Sequence, residues 1–600
     1  MYQTIGHAVI PLYEKALGLP LYRQEIQGTA TVHERDYHHG DSEDETESLV
    51  PLLHKVLAAH PEVNAVSTGA ILSDYQRTRV ESVALRLGLT PLSYLWQWPS
   101  LPPQTPTSLL QDMAAVGQDS RIIKVASGGL DESFLWQNVA EARIISRLSK
   151  AAERFGTTGD GAVLGEGGEF ETLAISGPAP LWKGRITIAS EDIDIVPGEA
   201  GSASVKLRKA SVALHSAEHS QALSAPAIRV PPLLDTEFDQ MLQSLKSKQS
   251  FEPDDTIRAF SRPPVLPATG GVDQIETGAE LLTNLTAEGA TAAMQMGAIM
   301  DGALVTLARM GHSIHDVVNT IIVLRDMLDF TAVNPVYGSY FSRPNPPARI
   351  TVACADVLPR DALLTVSMVV APGEREGLHV QSRSYWAPAN IGPYSQAIKQ
   401  RPSGETAGGQ VYIAGQIPLE PASMQLPASL GSPKEPTADF TLQSVLALQH
   451  LDRIGKVMKM KQWTYGIAFL ASSGVDQTVI ARRSDIARHA WKEYHSLSSG
   501  STGAAEVNED ESEDFDVWDQ QRGSRQRGWQ SYVSAPENHT TLDERLPSPI
   551  AQMSVVTSDS LPRGADIEWV GFGNSTGNQG STLPAHLASL LRSFEHRIIP

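Results

Sequence analysis

Cysteine is nearly missing from this chain: Cys354 is the only one in 600 residues. An intrachain disulfide and a cysteine-based zinc cluster are thereby excluded. Long apolar runs are missing as well. No stretch reaches the roughly 18 apolar residues that a membrane-spanning helix needs. The opening MYQTIGHAVIPLYEKALGLP has no basic n-region and no cleavage site, and reads as an amphipathic helix carrying Glu14 and Lys15. These absences predict a soluble, cytoplasmic protein with no membrane partner. Basic charge is in deficit, with 48 Lys and Arg against 68 Asp and Glu, a net charge of -20. Non-specific nucleic-acid binding requires a basic surface that displaces counterions, so nucleic acid is not an expected partner. Much of the acidic excess lies in two runs, His33 to Ser48 and Glu506 to Asp519.

What is present is ample material for cores. Hydrophobic residues make up 41%, and a chain this long implies several domains of about 100–200 residues each. Residues 1–210 alternate helical and strand periodicities, the pattern of a parallel α/β sheet. Helices are predicted over Ile5–Leu17, Glu47–Ala59, Arg77–Leu87, Pro106–Ala115 and Leu135–Phe155. Strands are predicted at Leu21–Glu25, Val63–Val66, Ser93–Tyr94 with its neighbours, Arg121–Val125 and Ala174–Ile175. Residues 211–262 lack sustained periodicity and read as a linker with a short helix near Phe238–Leu245. Cys354, with no assignable partner base, reads as a buried apolar residue.

Two strings stand out in the first domain. In STGAILSDYQRTRVESVALRLGLTPLSYLW, Ser67 to Trp96, a strand ends at Gly69, where a missing side chain lets backbone approach a ligand. Asp74, Arg77 and Glu81 then recur at helical spacing, with Val80, Val83, Ala84 and Leu87 on the opposite face. Spacing alone fits a solvated face with local ion pairs. The second string, GEGGEFETLAISGP, runs from Gly165 to Pro178. Gly165, Gly167 and Gly168 suit a tight loop that points backbone N–H groups at an anion. Glu166, Glu169 and Glu171 crowd that loop and repel one another unless they meet a cation.

Together, in this order, the two strings resemble the signatures of the diphthine–ammonia ligase family, ATP-dependent amide-forming enzymes of PP-loop fold. IIKVASGGLDESFLW, Ile122 to Trp136, also resembles that family. The resemblance implies amidation of diphthine on elongation factor 2 by ammonia, with ATP and Mg²⁺. It implies that Gly69, Arg79, Lys124, Gly165, Gly167 and Gly168 lie against the nucleotide. Arg77 and Arg79 would hold pyrophosphate or the substrate carboxylate. Asp74 and Glu81 would hold Mg²⁺ or orient a cationic partner. Glu166, Glu169 and Glu171 would meet the trimethylammonium of diphthine, hold metal or orient ammonia. A strand-end surface position accounts for Lys124 equally well. The family's SGGKDS phosphate loop occurs nowhere in the chain, which starts at a point that follows that loop in relatives. Either Met1 is internal to a longer reading frame, the reading favoured here, or this is a short form unable to bind ATP. As written, the chain is expected to be inactive as a ligase.

An internal repeat follows. ARITVACADVLPRDALLTVSMVV from Ala348 parallels AQMSVVTSDSLPRGADIEWVGFG from Ala551, aligned on Leu358-Pro359-Arg360 and Leu561-Pro562-Arg563. Each copy is preceded by a long helix (Ala292–Met310; Thr441–Met460), a β-rich segment (Val317–Leu324; Tyr465–Leu470) and a second helix with an aromatic cluster. Whole domains are duplicated. The copies resemble the YjgF/RidA family of small α+β domains, which form trimers. APANIGPYSQAI from Ala387 and VYIAGQIPLEP from Val411 carry the resemblance in the second copy. Eukaryotic members of the ligase family carry such a tandem behind the ligase domain.

The expected organisation is a ligase domain over 1–210, a linker over 211–262, repeat one over 263–375, repeat two over 384–575, and a tail over 576–600. An acidic disordered insertion over 496–539 interrupts repeat two. The second resemblance implies a carboxylate-binding arginine at Arg349, whose counterpart is Gln552, while the opening signature, with Tyr394, Ser395, Gly415 and Gln416, survives only in repeat two. Complementary losses predict one composite cleft, Arg349 facing Tyr394 and Ser395. A scaffold or docking role for both repeats accounts for the same residues. Three functions therefore compete: diphthine ligase, imine or enamine deaminase with a vestigial first domain, and non-catalytic binding module. Oligomerisation through the repeats is a further expectation.

Overall fold

The computed structural model describes residues 5–40, 43–154, 161–215, 228–248, 272–274, 279–401, 409–427, 436–500, 551–575 and 585–599. The chain divides into two compact units, which meet in sequence between Pro232 and Leu233. Among the described residues no helix is long and apolar enough to cross a membrane.

In the first unit, β1 (Ala65–Ser67) and β2 (Thr90–Leu92) pair in parallel, Ala65 opposite Thr90. The helix Asp74–Arg86 joins them. It starts where the Ser73 hydroxyl accepts the Gln76 N–H at 3.3 Å, a side-chain cap for an otherwise orphaned donor. The expected parallel sheet goes no further among the described residues. β3 (Asp119–Val125), β4 (Phe170–Ser176), β6 (Ile193–Pro197) and β7 (Ala203–Leu207) form an antiparallel sheet in the order β4-β3-β7-β6. β5 (Gly184–Thr187) and β8 (Ser211–Leu214) pair separately and antiparallel. Alternating helix and strand periodicities do not encode strand direction, and here the chain beyond the helix Ala142–Arg154 returns β4 antiparallel to β3. Ile144, Leu148 and Ala152 repeat every fourth residue on that helix and pack with Ile122, Ile123 and Val125 in one core. Leu21–Glu25 forms no strand, and the strand expected around Ser93–Tyr94 and its neighbours lies just before them, at Thr90–Leu92.

The second unit holds the duplication. Repeat one is a five-stranded sheet of β9 (Val272–Gln274), β10 (Glu280–Leu285), β11 (Val317–Leu324), β12 (Ala348–Ala353) and β13 (Leu364–Val370), ordered β12-β11-β13-β10-β9. β14 (Glu374–Leu378) crosses into repeat two, pairing with β15 (Ala397–Arg401), so the sheet boundary falls before residue 375. β16 (Gln410–Ile413), β17 (Gln462–Ala471), β18 (Gln552–Ser558), β19 (Ile567–Asn574) and β20 (Ile598–Ile599) complete the order β14-β15-β16-β19-β17-β18-β20. Each repeat shares one plan: a parallel pair (β11 with β12; β17 with β18) flanked by an antiparallel third strand (β13; β19).

Both faces of these sheets are buried, which explains their unbroken apolar runs. Side chains alternate across a strand: Ile322 and Leu324 meet the helix Ala292–Met310, while Ile321 and Val323 enter a core shared with Ile467, Phe469 and Val570 of repeat two. The helix Thr236–Ser247 sits where a short one is expected and buries Phe238, Met241, Leu242 and Leu245. The expected tail is instead structured: the helix Ala585–Ser593 inserts Leu587, Leu590 and Leu591 into the shared core, followed by Phe594. The acidic insertion lies, from residue 501 on, outside the described residues.

Candidate functional site

The first unit gathers its charged residues around two glycine turns. β3 ends at Val125 and runs into Ser127-Gly128-Gly129, while β4 begins at Phe170, directly after GEGGE. The Ala126 N–H donates to the Glu169 carbonyl at 2.9 Å, and Val125 pairs with Phe170, so the turns face each other. Gly165 and Gly168 both have φ of 81°. Such angles strain any residue with a Cβ, so this loop is a glycine-specific shape. At Gly167 the constraint is space, because a Cβ would press on the Glu169 carboxylate. The Gly167 N–H instead donates to Glu169 Oε2 at 3.1 Å. Glu169 is only 7% exposed, and burial raises its pKa. Lys124 and Glu171, neighbours across the β3–β4 ladder, pair at 2.9 Å. Glu166 Oε2 accepts the Leu72 N–H at 3.0 Å, tying the glycine loop to the segment that opens the helix Asp74–Arg86.

That helix turns its charged side chains toward one another. Arg77 is 2% exposed, and its guanidinium meets Asp74 and Glu81, each at 2.8 Å. It also lies over the Trp96 ring, 4.3 Å from the centroid. Burial alone would lower the Arg77 pKa, but the Glu81 and Asp74 carboxylates hold it above its ordinary value. The charged helix face is therefore an internal ion triad and not a solvated surface. Asp74 and Glu81 share the single positive charge of Arg77, which leaves the triad one negative charge in excess. Among the described residues, no group of three or more His, Cys, Asp and Glu side chains is arranged to hold a metal. Arg79 is occupied too: it donates to the Val32 carbonyl at 2.6 Å and the Tyr75 carbonyl at 3.1 Å and stacks on Tyr75. Gly69 is exposed, with open space where its Cβ would be.

The second unit places a different set of groups between its repeats. Arg349, on β12, is 3% exposed, and its guanidinium sits 5.1–5.5 Å from the centroids of Tyr337, Tyr394 and Phe330. Its carbonyl accepts the Gly415 N–H at 3.1 Å, joining the repeats at this point. Among the described residues, neither Nη1 nor Nη2 of Arg349 has a hydrogen-bond partner, and the same holds for Ser395 Oγ and Glu568 Oε2. Burial pushes the Glu568 carboxyl up to about 8, with Arg349 opposing the shift. Gly415 has no room for a Cβ, which would collide with the Glu568 carboxylate. Gln416 serves the fold: its N–H donates to Trp569 and its side-chain amide to Ala414. Glu568, Phe330 and Tyr337 are missing from the expected set. The legible signal for Glu568 was a lone acid inside the apolar run IEWVGF.

Comparison with known proteins shows what each part of the chain is similar to. The diphthamide synthase N-terminal domain family matches residues 1–91, and its C-terminal domain family matches 105–206. The endoribonuclease L-PSP family matches residues 277–371. The diphthine–ammonia ligase of Schizosaccharomyces pombe is 35% identical over 82% of this chain and 75% of its own length. That of Saccharomyces cerevisiae is 30% identical over 80% and 70%. Among solved structures, RidA from a Psychrobacter species is 19% identical, covering 20% of this chain and 98% of its own, with a TM-score of 0.17. Two fungal relatives aligned over most of the chain, with both diphthamide synthase halves in order, show that this chain belongs to the diphthine–ammonia ligase family.

Proposed function

We propose that the chain amidates diphthine on elongation factor 2 with ammonia, at the expense of ATP, and that Glu169 is the central acid–base group. A carboxylate resists ammonia because its oxygen leaves poorly and its charge repels a nucleophile. ATP overcomes this: the substrate carboxylate attacks the α-phosphorus and releases pyrophosphate. Ammonia then attacks the acyl carbon of the adenylate, AMP leaves, and nitrogen loses a proton. A buried carboxylate with raised proton affinity is suited to accept that proton. The observation that carries the reading is Glu169, held between two glycine turns beside the Lys124–Glu171 pair. Lys124 is the candidate contact for a phosphate. The Asp74–Arg77–Glu81 triad and Arg79 act as positioning groups behind the loop. No step is assigned to Mg²⁺.

The test is diphthine-dependent ATP–pyrophosphate exchange, run on the chain alone and on the chain preceded by a strand–SGGKDS–helix segment. Exchange in either form supports the ligase reading, and its absence in both removes it.

A second reading concerns the repeats. Among the described residues, four polar atoms of Arg349, Ser395 and Glu568 are buried without a hydrogen-bond partner. Arg349 and Glu568 interact electrostatically, and orphaned buried groups call for an explanation such as a ligand. We read this as a cleft for a small carboxylate, the anion on Arg349 and a hydrogen-bond donor on Glu568. Acetate binding that disappears in Arg349→Met supports it. Acetate binding that survives the substitution rules it out.

A further inference from the structure

The duplication supplies an internal comparison that exposes a second pocket. Thr365 and Glu568 occupy equivalent places, each seven residues after the leucine of its Leu-Pro-Arg. Their strand partners agree: Val323 faces Thr365 and Phe469 faces Glu568. Likewise Leu285 pairs with Val366 and Gln416 with Trp569, which makes Asn284 the counterpart of Gly415. Repeat one therefore carries the same half-site as repeat two, with asparagine and threonine in place of glycine and glutamate.

The opposing wall differs as well. Glu568 looks toward Arg349 of the neighbouring repeat. Thr365 instead borders a cavity of about 320 Å³ whose far side is Leu590 and Ser593 of the helix Ala585–Ser593. That volume is at the small end of the roughly 300–1,000 Å³ found for small-molecule sites. The cavity is walled by Asn284, Thr286, Thr365, Ser367 and Ser593 over a floor that includes Ile321 and Val323, and no lining residue is charged. A bulge between Leu282 and Leu285 holds Asn284 at φ 48° beside it. The Ser367 hydroxyl accepts the Asn284 N–H at 2.9 Å and keeps its own proton to donate.

We infer that this cavity is a second binding site, built for a small uncharged molecule carrying both hydrogen-bond donors and acceptors, of the carboxamide or polyol type. Hydroxyls and a side-chain amide serve either role, and no charged side chain lines the cavity to pair with an ion. The two half-sites have thus diverged: one pairs a guanidinium with a buried carboxyl, and the other has no charged group and is bordered by the helix Ala585–Ser593.

Ligand-observed NMR on the full chain tests this with four probes: acetamide, glycerol, acetate and methylammonium. Acetamide or glycerol is expected to bind. Ser367→Leu, which fills the cavity, should weaken that binding at least tenfold, and the near-isosteric Thr365→Val several-fold. Arg349→Met should leave it unchanged. The inference fails if neither neutral probe binds, if both cavity variants bind them like the parent, or if methylammonium or acetate competes for the same site. Acetate is the separate reporter of the Arg349 cleft, so loss of that reading leaves this one standing. Thermal melting of both variants checks that either loss is local.

Discussion

Arg77 shows how a single buried charge decides what its neighbours can do. Its two carboxylate partners offset a guanidinium that is almost fully removed from water. Removing one member leaves an uncompensated charge, at a cost of about 3–5 kcal/mol. Arg77→Met should therefore destabilise the first unit by about that much in urea titrations, and Arg77→Met with Glu81→Met should recover part of the loss. A variant that weakens ligation without any stability change would instead mark Arg77 as a substrate contact. Glu568 yields a prediction in pH. Its carboxyl ionises near 8 in the fold and near 4.3 in an unfolded chain, by the usual value for glutamate. The folded state thus binds the proton more tightly. Its contribution to stability is full below about pH 4.3 and is lost as pH rises toward 8. Glu568→Gln should flatten the fall in melting temperature across that window. An unaltered pH profile would show that the carboxyl is not held neutral.

Among the elements, the most legible were those with strong periodicity. The repeated strands, the helix Ala292–Met310 and the glycine loop could be read from residue types, because buried alternation and glycine turns leave a local record. Strand direction in the first unit could not, since pairing depends on where the chain returns. Nor did the face of Asp74–Arg86 reveal itself: an i, i+3, i+7 charge pattern looks the same on a solvated helix and around a buried triad. Trp96, which covers Arg77, comes from outside the helix. The C-terminal helix did leave a signal, Leu587, Leu590, Leu591 and Phe594 at helical spacing, obscured by its position at the end of the chain. Phe594 is fully buried, edge-on to Phe469 at 5.7 Å. Phe594→Ala should cost about 3–5 kcal/mol in the unfolding of the second unit. A change below 1 kcal/mol, the scale of a single methylene, would mean that the helix contributes little to the core.

For the molecule as a whole, the proposed functions divide the chemistry between its two units. Glu169 and the glycine loop belong to the first, and the Arg349 cleft and the neutral cavity to the second. Arg349→Met should accordingly spare amidation while abolishing acetate binding. The most direct measurement of the central claim follows diphthamide and AMP formation on diphthine-bearing elongation factor 2 by mass spectrometry, with the chain supplied with an SGGKDS segment, as the parent and as Glu169→Gln. The account predicts diphthamide and AMP in equal amounts from the parent, and a rate lower by a factor of about 10²–10⁴ in the variant at unchanged melting temperature. Equal rates from the two proteins, or no AMP from either, would contradict it.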